Sequence, residues 1–114
     1  MNNDNDSDVK ITVTSDHHKR IEQLINSHPI FVFMKGTPEE PLCRFSARVK
    51  DIFEELKVPF QGFNVLEDFE MREAIKDYTD WPTLPQIFIK GNFIGGVDIV
   101  DELFQSGELK KMIQ

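Results

Sequence analysis

The sequence predicts a single α/β domain in which helices sandwich one small, four-stranded mixed sheet. Short runs of β-branched and aromatic residues alternate with stretches whose apolar residues recur at the helical period. The first half reads as strand, helix, strand, helix, and the second half as two strands and a helix, with one extra helix ahead of both. At 114 residues the chain is long enough for one hydrophobic core but not for two.

Composition narrows the classes of function. The chain carries 20 acidic and 13 basic residues and a net charge of −7, with no stripe of Lys and Arg. This argues against nucleic acid and anionic membrane surfaces as partners. No run of apolar residues is long enough to span a bilayer, and one cysteine cannot form a disulfide framework. We expect an intracellular protein, either cytosolic or mitochondrial after removal of a presequence.

The N-terminal region divides into a tail and a first helix. Residues 1–12 begin with an Asn- and Asp-rich stretch without hydrophobic periodicity, and we expect a disordered acidic tail there, followed by one domain over residues 13–114. Residues 14–16 offer N-cap side chains for an amphipathic helix. His28 and Pro29 should end that helix, because the residue before proline disfavours helical dihedrals.

Two adjacent histidines, His17 and His18, stand in the first turn of this helix. Two histidines in one turn could in principle bind a metal ion. Adjacent helical residues point apart, however, so we expect both side chains to be solvated surface.

The only cysteine stands where a strand gives way to a helix. Ile30–Met34 is a short β-branched and aromatic run, which predicts a buried strand, and residues 36–41 contain Gly and two Pro, which cannot continue it. Cys43 follows, immediately before a run of helical period. The apolar residues of that run, one face of a predicted helix, are Phe45, Val49, Ile52, Phe53 and Leu56.

Cys43 is therefore expected at a helix N-terminus, where unpaired N–H groups and the helix dipole stabilise an anion. Lys35 and Arg44 add positive charge. A lone cysteine is most often a small buried hydrophobe. Because proline and charged residues surround this one, we interpret it instead as a reactive or metal-binding thiolate.

The next elements continue the alternation. Residues 60–65 predict a second strand, and a second amphipathic helix starts at the acidic pair Glu67 and Asp68. Strands joined by a helical crossover should be parallel. Residues 81–85 then contain two prolines, which predict a rigid extended segment and the only realistic site for a cis peptide bond.

The C-terminal part predicts a hairpin and two helices. Gln86–Ile89 should pair with a strand at Phe93 and Ile94 across a tight turn. Asp98 is the expected cap of the next helix, which Gly107 should end before a short tail helix. No internal repeat is visible.

Four motifs in this order resemble the monothiol glutaredoxins, which have the thioredoxin fold. They are residues 35–41 (Lys-Gly-Thr-Pro-Glu-Glu-Pro), 43–46 (Cys-Arg-Phe-Ser), 81–86 (Trp-Pro-Thr-Leu-Pro-Gln) and 95–98 (Gly-Gly-Val-Asp). The family usually has Gly where this chain has Arg44. The family often has a second cysteine where this chain has Val97. Mechanisms that need two cysteines in one chain are therefore excluded.

The resemblance implies a glutathione groove. Lys35 would meet the glycine carboxylate of glutathione or the sulfur end of the site, and Arg72 and Lys76 would lie at the same carboxylate. Thr83 and Leu84, just before a cis Pro85, would pair their backbone with the cysteinyl part, and Trp81 is expected to pack rather than to act chemically. The γ-glutamyl end would be held by Gly96, Val97 and Asp98.

Two functions follow from the resemblance, and a redox-sensing adaptor without a cluster is a third, weaker alternative. In the first, Cys43 and glutathione bind a 2Fe–2S cluster that bridges a homodimer, monomeric without it, for transfer to iron–sulfur acceptors and sometimes with a BolA-like partner. In the second, Cys43 is the catalytic thiol of a glutathione-dependent oxidoreductase. The loop insertion at residues 37–42 marks the family branch that is usually poor at turnover, which favours the carrier. How Arg44 affects a bound cluster, by tightening binding or by crowding, stays open at this stage.

Overall fold

The computed structural model describes residues 11–114 and has the predicted α/β architecture. The predicted acidic tail lies outside the described residues, apart from residues 11 and 12, which have no regular secondary structure. Five helices surround a four-stranded mixed sheet. The elements are α1 Ser15–Ile25, β1 Ile30–Met34, α2 Arg44–Glu55, β2 Gln61–Asn64, a 3₁₀ turn Val65–Glu67, α3 Phe69–Thr79, β3 Gln86–Ile89, β4 Asn92–Gly95, α4 Val97–Ser106 and α5 Glu108–Met112.

The sheet is built around β1. Its strand order is β2-β1-β3-β4; β1 is parallel to β2 and antiparallel to β3, and β3 is antiparallel to β4. The predicted parallel crossover and hairpin are both confirmed. β2 is shorter than predicted, because Val65 already belongs to the 3₁₀ turn. None of the helices in residues 11–114 has the length and apolar content needed to cross a membrane.

Every residue of β1 is buried, because both faces of the sheet are covered by helices. Successive side chains of a strand point to opposite faces. Ile30, Val32 and Met34 therefore join the core beneath α2, α4 and α5, whereas Phe31 and Phe33 join the core beneath α1 and α3. The result is a three-layer sandwich with β1 at its centre.

The first helix begins as predicted, but its histidines are more than solvated surface. Thr14 is the N-cap, its side chain accepts the amide of His17, and Thr14 N–H donates to His17 Nδ1 at 3.0 Å. His17 Nε2 then lies 3.0 Å from Glu70, and His18 Nε2 lies 3.3 Å from Asp77, so both half-buried rings link α1 to α3. The helix ends at Ile25, earlier than the proline requires.

An ion pair ties the cysteine-bearing helix to α4. Arg48 donates to Asp101 Oδ1 at 2.8 Å, and its guanidinium lies over the ring of Phe104. The hydrogen bond from Arg48, together with a second one from Gln105, lowers the pKa of the Asp101 carboxyl below its ordinary value of 3.8. Both helices pack on the same face of the sheet, and each contributes residues to the groove described below.

Asp101→Asn should make the free energy of unfolding depend less steeply on pH in the acidic range. Because the folded-state pKa of Asp101 is lowered, the pair stabilises the fold above pH 3.8 and that stabilisation is lost as pH falls through the folded-state value. The free energy of unfolding, measured by urea at a series of pH values from about 6 to 3, should fall more steeply in the wild type than in the variant. Glu102→Gln, a neighbouring exposed carboxylate, is the matched control and should keep the wild-type slope. Equal slopes in all three proteins would contradict this.

The buried side chain of Gln86 organises the segment before β3. Its Nε2 donates to the carbonyls of Trp81 at 2.8 Å and Thr83 at 3.2 Å, and its Oε1 accepts from the Thr79 hydroxyl at 2.8 Å. Its side-chain hydrogen bonds thus go to the end of α3 and to the segment between α3 and β3. Gln86 is fully buried, so a polar side chain here is stabilising only because each group is paired.

Gln86→Leu should lower the free energy of unfolding by about 1–3 kcal/mol, because it leaves the carbonyls of Trp81 and Thr83 without their donor and the Thr79 hydroxyl without one acceptor. Chemical unfolding monitored by circular dichroism measures the effect. Gln23→Leu, the same substitution at an exposed position of α1, should change the free energy by less than about 0.5 kcal/mol. A loss at Gln86 no larger than that at Gln23 would show that this network does not stabilise the turn.

Candidate functional site

One groove runs along the edge of the sheet where β1 ends. Its volume is about 470 Å³, and its walls come from the β1–α2 connection, α3, the segment before β3 and the start of α4. Every residue predicted for the site lines it. The lining residues are Lys35, Cys43, Phe45, Arg72, Lys76, Trp81, Pro82, Thr83, Leu84, Pro85, Gly96, Val97, Asp98 and Ile99.

Cys43 is the N-cap of α2, as predicted, and its side chain is half-buried in the groove. Its backbone is extended and its carbonyl accepts the amide of Ala47 at 2.8 Å, but its thiol makes no capping hydrogen bond. The sulfur therefore remains available beside the unpaired amides of the first helical turn. The buried hydroxyl of Ser46 accepts the amide of Lys35 at 3.1 Å, which fastens the end of β1 to this turn.

The inserted loop before the cysteine is closed by its own hydrogen bonds. Thr37 and Glu40 exchange backbone hydrogen bonds of 3.1 Å, and the amide of Leu42 donates to the carbonyl of Lys35 at 2.9 Å. Gly36 has a φ of +94°, and a Cβ there would lie 2.5 Å from Glu40 O and Leu42 N. Only glycine fits this close approach. The loop thus holds Lys35 and Cys43 in a fixed relation.

One end of the groove is cationic. Arg72 and Lys76 stand one turn apart on α3, and Lys35 faces the same space from the end of β1. Lys76 Nζ also forms a 3.0 Å ion pair with Glu73, which holds the half-buried ammonium in place. Three positive side chains from two elements therefore converge where an anionic group would be stabilised.

The floor of the groove is the segment before β3. The Leu84–Pro85 peptide bond is cis, as predicted for this segment. Trp81 packs edge-on against Phe93, with ring centroids 5.7 Å apart, which confirms its predicted packing role, but it also lines the groove. Thr83 is exposed and Leu84 is half-buried, so both border the groove with Pro85 buried behind them.

The N-terminus of α4 forms another part of the groove wall. The prediction that Asp98 caps this helix is wrong. Gly96 is the N-cap, and Asp98 lies inside the first turn with an exposed carboxylate. A Cβ on Gly96 would lie 3.2 Å from Trp81 Nε1, so the backbone approaches the indole too closely for a larger residue to fit without a shift. The amides of this first turn have no partner within the helix.

Sequence reasoning missed four lining residues: Phe45, Trp81, Pro82 and Ile99. Phe45 is predicted on the apolar face of α2 with residues that are buried, but it is 45% exposed and lines the groove. Phe45 stands at the very start of the periodic run, two residues after the cysteine, and this position could have indicated that it lies at the site. Among residues 11–114 there is no cluster of three or more His, Cys, Asp or Glu side chains that could hold a metal ion.

The chain was compared with known families and structures. The glutaredoxin family model matches residues 30–94, more than half of the chain. A monothiol glutaredoxin of the cyanobacterium Synechocystis is 47% identical over 95 residues, covering 83% of this chain and 89% of the relative. The crystal structure of a buckwheat glutaredoxin–glutathione complex superposes with a TM-score of 0.75 at 31% identity, covering 88% of this chain and 93% of that one.

Some relatives are much longer. Monothiol glutaredoxin S11 of rice is 50% identical over 97 residues, which are 85% of this chain but 20% of that protein. The chain thus spans about a fifth of the length of this relative. The matched family model, the similarity to proteins with a single active-site thiol and the groove around Cys43 agree, and the chain belongs to the glutaredoxin family, in its monothiol branch.

Proposed function

We propose that this chain is a glutathione-dependent iron–sulfur carrier, in which Cys43 and glutathione together hold a 2Fe–2S cluster for transfer in cluster assembly or iron homeostasis. The observation that carries the proposal is the position of the only thiol. Cys43 opens into a groove that is also lined by three cations and by a helix N-terminus. These two features suit the two charged ends of one short peptide.

Glutathione fits the charge pattern of the groove. Its glycine carboxylate would lie against Lys35, Arg72 and Lys76, where charge-assisted hydrogen bonds are strongest. Its cysteinyl backbone would pair with Thr83 and Leu84 in the manner of an added strand. This orientation directs the glutathione sulfur towards the Cys43 side of the groove.

The γ-glutamyl end carries both an amine and a carboxylate. The carboxylate would accept amide hydrogen bonds at the start of α4, from Val97 and Asp98. The ammonium would pair with the exposed carboxylate of Asp98. The absence of a side chain at Gly96 leaves room for this approach next to Trp81.

The number of thiolate ligands that a 2Fe–2S cluster needs implies a pair of chains. A 2Fe–2S cluster takes about four thiolate ligands. One chain contributes one, since the sequence has one cysteine. Two chains and two bound glutathiones complete the set, so the cargo bridges a homodimer and the cluster-free protein is a monomer. Iron–sulfur acceptor proteins, or a BolA-like partner replacing one chain, would then approach the open side of the groove.

A second function, glutathione-dependent disulfide exchange, is favoured by the same free and half-buried thiol. The Cys43 thiolate would attack the glutathione sulfur of a protein–glutathione disulfide and release the protein thiolate. The thiolate of a second glutathione would then attack the mixed disulfide on Cys43, which yields oxidised glutathione and restores the Cys43 thiolate. Protons taken up and lost balance over the cycle.

Anaerobic reconstitution with ferrous iron, sulfide and glutathione tests the carrier. We expect absorption at about 400 nm from thiolate-to-iron charge transfer, together with a native mass of two chains, one cluster and two glutathiones. Cys43→Ser, or omission of glutathione, should abolish both signals, because each removes two of the four ligands.

Lys19→Gln, at an exposed position of α1 that does not line the groove, serves as a handling control for a substituted chain and should reconstitute. A colourless wild-type monomer that still reduces a glutathione mixed disulfide would overturn the carrier in favour of the oxidoreductase.

A further inference from the structure

The groove has a hydrophobic and cationic rim on the α2 side. Leu42 is 62% exposed and Phe45 is 45% exposed, and they flank Cys43 on either side in sequence. Arg44 lies between them, also exposed. We call Leu42, Arg44 and Phe45 the collar. Two of the three most exposed large apolar side chains of residues 11–114 thus border the only thiol.

Arg44 is held beside the groove rather than in it. Its guanidinium carbon lies 5.0 Å from the centre of the Phe45 ring, and Arg44 is not part of the groove lining. A cation–π contact of this kind favours one position of the guanidinium, and Arg44 remains exposed to a partner. Of the two effects left open for Arg44, tighter binding or crowding of a bound cluster, its place outside the groove lining does not favour crowding.

The charge of Arg44 is unpaired within the part of the chain that the structure describes. Arg48 pairs with Asp101, Arg20 with Asp68, and Lys76 with Glu73. Arg44 has no such carboxylate among residues 11–114, although the chain has an excess of acidic residues. An oriented cation without an internal partner, set between two exposed apolar side chains, is complementary to a carboxylate that has an apolar neighbour.

A second copy of this chain fits the collar poorly on its own. A symmetric contact centred on Cys43 would bring Arg44 of each copy towards the other, and like charges in contact are repulsive. In the proposed cluster-bridged pair, the anionic cargo stands between the two cations. Without that cargo, an acidic segment of a different protein is the better occupant.

We propose that the collar docks an acidic segment of a protein partner, with a carboxylate on Arg44 and an adjacent apolar side chain on Leu42 and Phe45. Docking brings the partner's thiol, or its glutathione mixed disulfide, to Cys43. This deepens the proposed function, since it names the partner chemistry, and it rests on that function only in needing a reactive Cys43 beside a glutathione groove.

The test uses cluster-free protein and three glutathionylated peptides. Each peptide has one Cys–glutathione disulfide next to a Leu, and the flanking pair is Glu-Glu, Gln-Gln or Lys-Lys. Cys43 thiolate attacks the glutathione sulfur, the peptide leaves as its thiolate, and Cys43 becomes glutathionylated; mass spectrometry counts both products. We expect the acidic peptide to react about tenfold faster than the neutral one at low ionic strength, and the lysine peptide to react slowest. The ratio should shrink to about twofold at about 0.5 M salt.

Variants separate the collar from the overall charge of the chain. Arg44→Gln should reduce the acidic-to-neutral ratio to about twofold or less, and Arg44→Glu should invert the preference towards the lysine peptide. Lys19→Gln, an exposed position on α1 that removes the same charge elsewhere, should retain the wild-type ratio. Replacing the peptide Leu with Ser should slow the wild type several-fold, and Leu42→Ser should remove that difference.

Two results would overturn the proposal. If the wild type reacts equally with all three peptides, or if Arg44→Gln keeps the wild-type ratio, the collar does not select acidic partners. If Cys43 reacts with the small uncharged disulfide 2,2′-dithiodipyridine but with none of the peptides, it does not receive protein disulfides through the collar. Neither result contradicts the carrier function, because reconstitution of the cluster uses no peptide. Conversely, a failed reconstitution does not affect the measurement of peptide selectivity.

Discussion

The burial of β1 on both faces is the constraint on which the site depends. Ile30–Met34 packs into two cores at once, so the strand cannot shift or rotate without disrupting both. Its C-terminal end therefore has a fixed position. Lys35 and the loop that follows are delivered to the edge of the sheet, and the hydrogen bond from the Lys35 amide to Ser46 anchors the first turn of α2 to that point. The thiol of Cys43 takes its position from this junction.

The remaining walls are fastened to the same framework by buried polar contacts. Gln86 binds the carbonyls of the segment that forms the floor, and the Arg48–Asp101 pair connects α2 to α4. Each contact joins residues from different elements, so the groove is a property of the whole sandwich. A fixed groove lowers the entropy cost of binding a flexible tripeptide, since only the ligand needs to be ordered.

Charge is distributed unevenly over this acidic chain. The net charge is −7, yet cations from the β1–α2 connection and from α3 converge on one end of the groove, and Arg44 stands unpaired at its rim among the described residues. Such a pattern attracts anionic ligands locally while the acidic remainder of the surface repels them. The proposed glutathione orientation and the proposed acidic docking partner both depend on this contrast.

Much of the fold was predictable because periodicity reports burial directly. β1 has its predicted bounds, and Cys43 is at the predicted helix start, since strand and helix periods differ clearly there. Phe45 was misplaced, because an apolar residue in a first helical turn fits the period whether it faces the core or a groove. Asp98 was predicted as a cap from residue type, but the chain entering α4 from β4 reaches the helix at Gly96. The Arg48–Asp101 pair joins positions 53 apart, which no local pattern reveals.

The glutathione groove is tested most directly by titrating ¹⁵N-labelled, reduced protein with S-methylglutathione and following its amide resonances. The blocked sulfur prevents exchange with Cys43, so the shifts report binding alone. If the groove binds glutathione as proposed, the largest shifts fall on Leu84, Val97 and Asp98, and Lys76→Gln weakens the binding. No shifts at millimolar ligand, or shifts centred on the separate cavity lined by His28, Phe60 and Ile113, would contradict it.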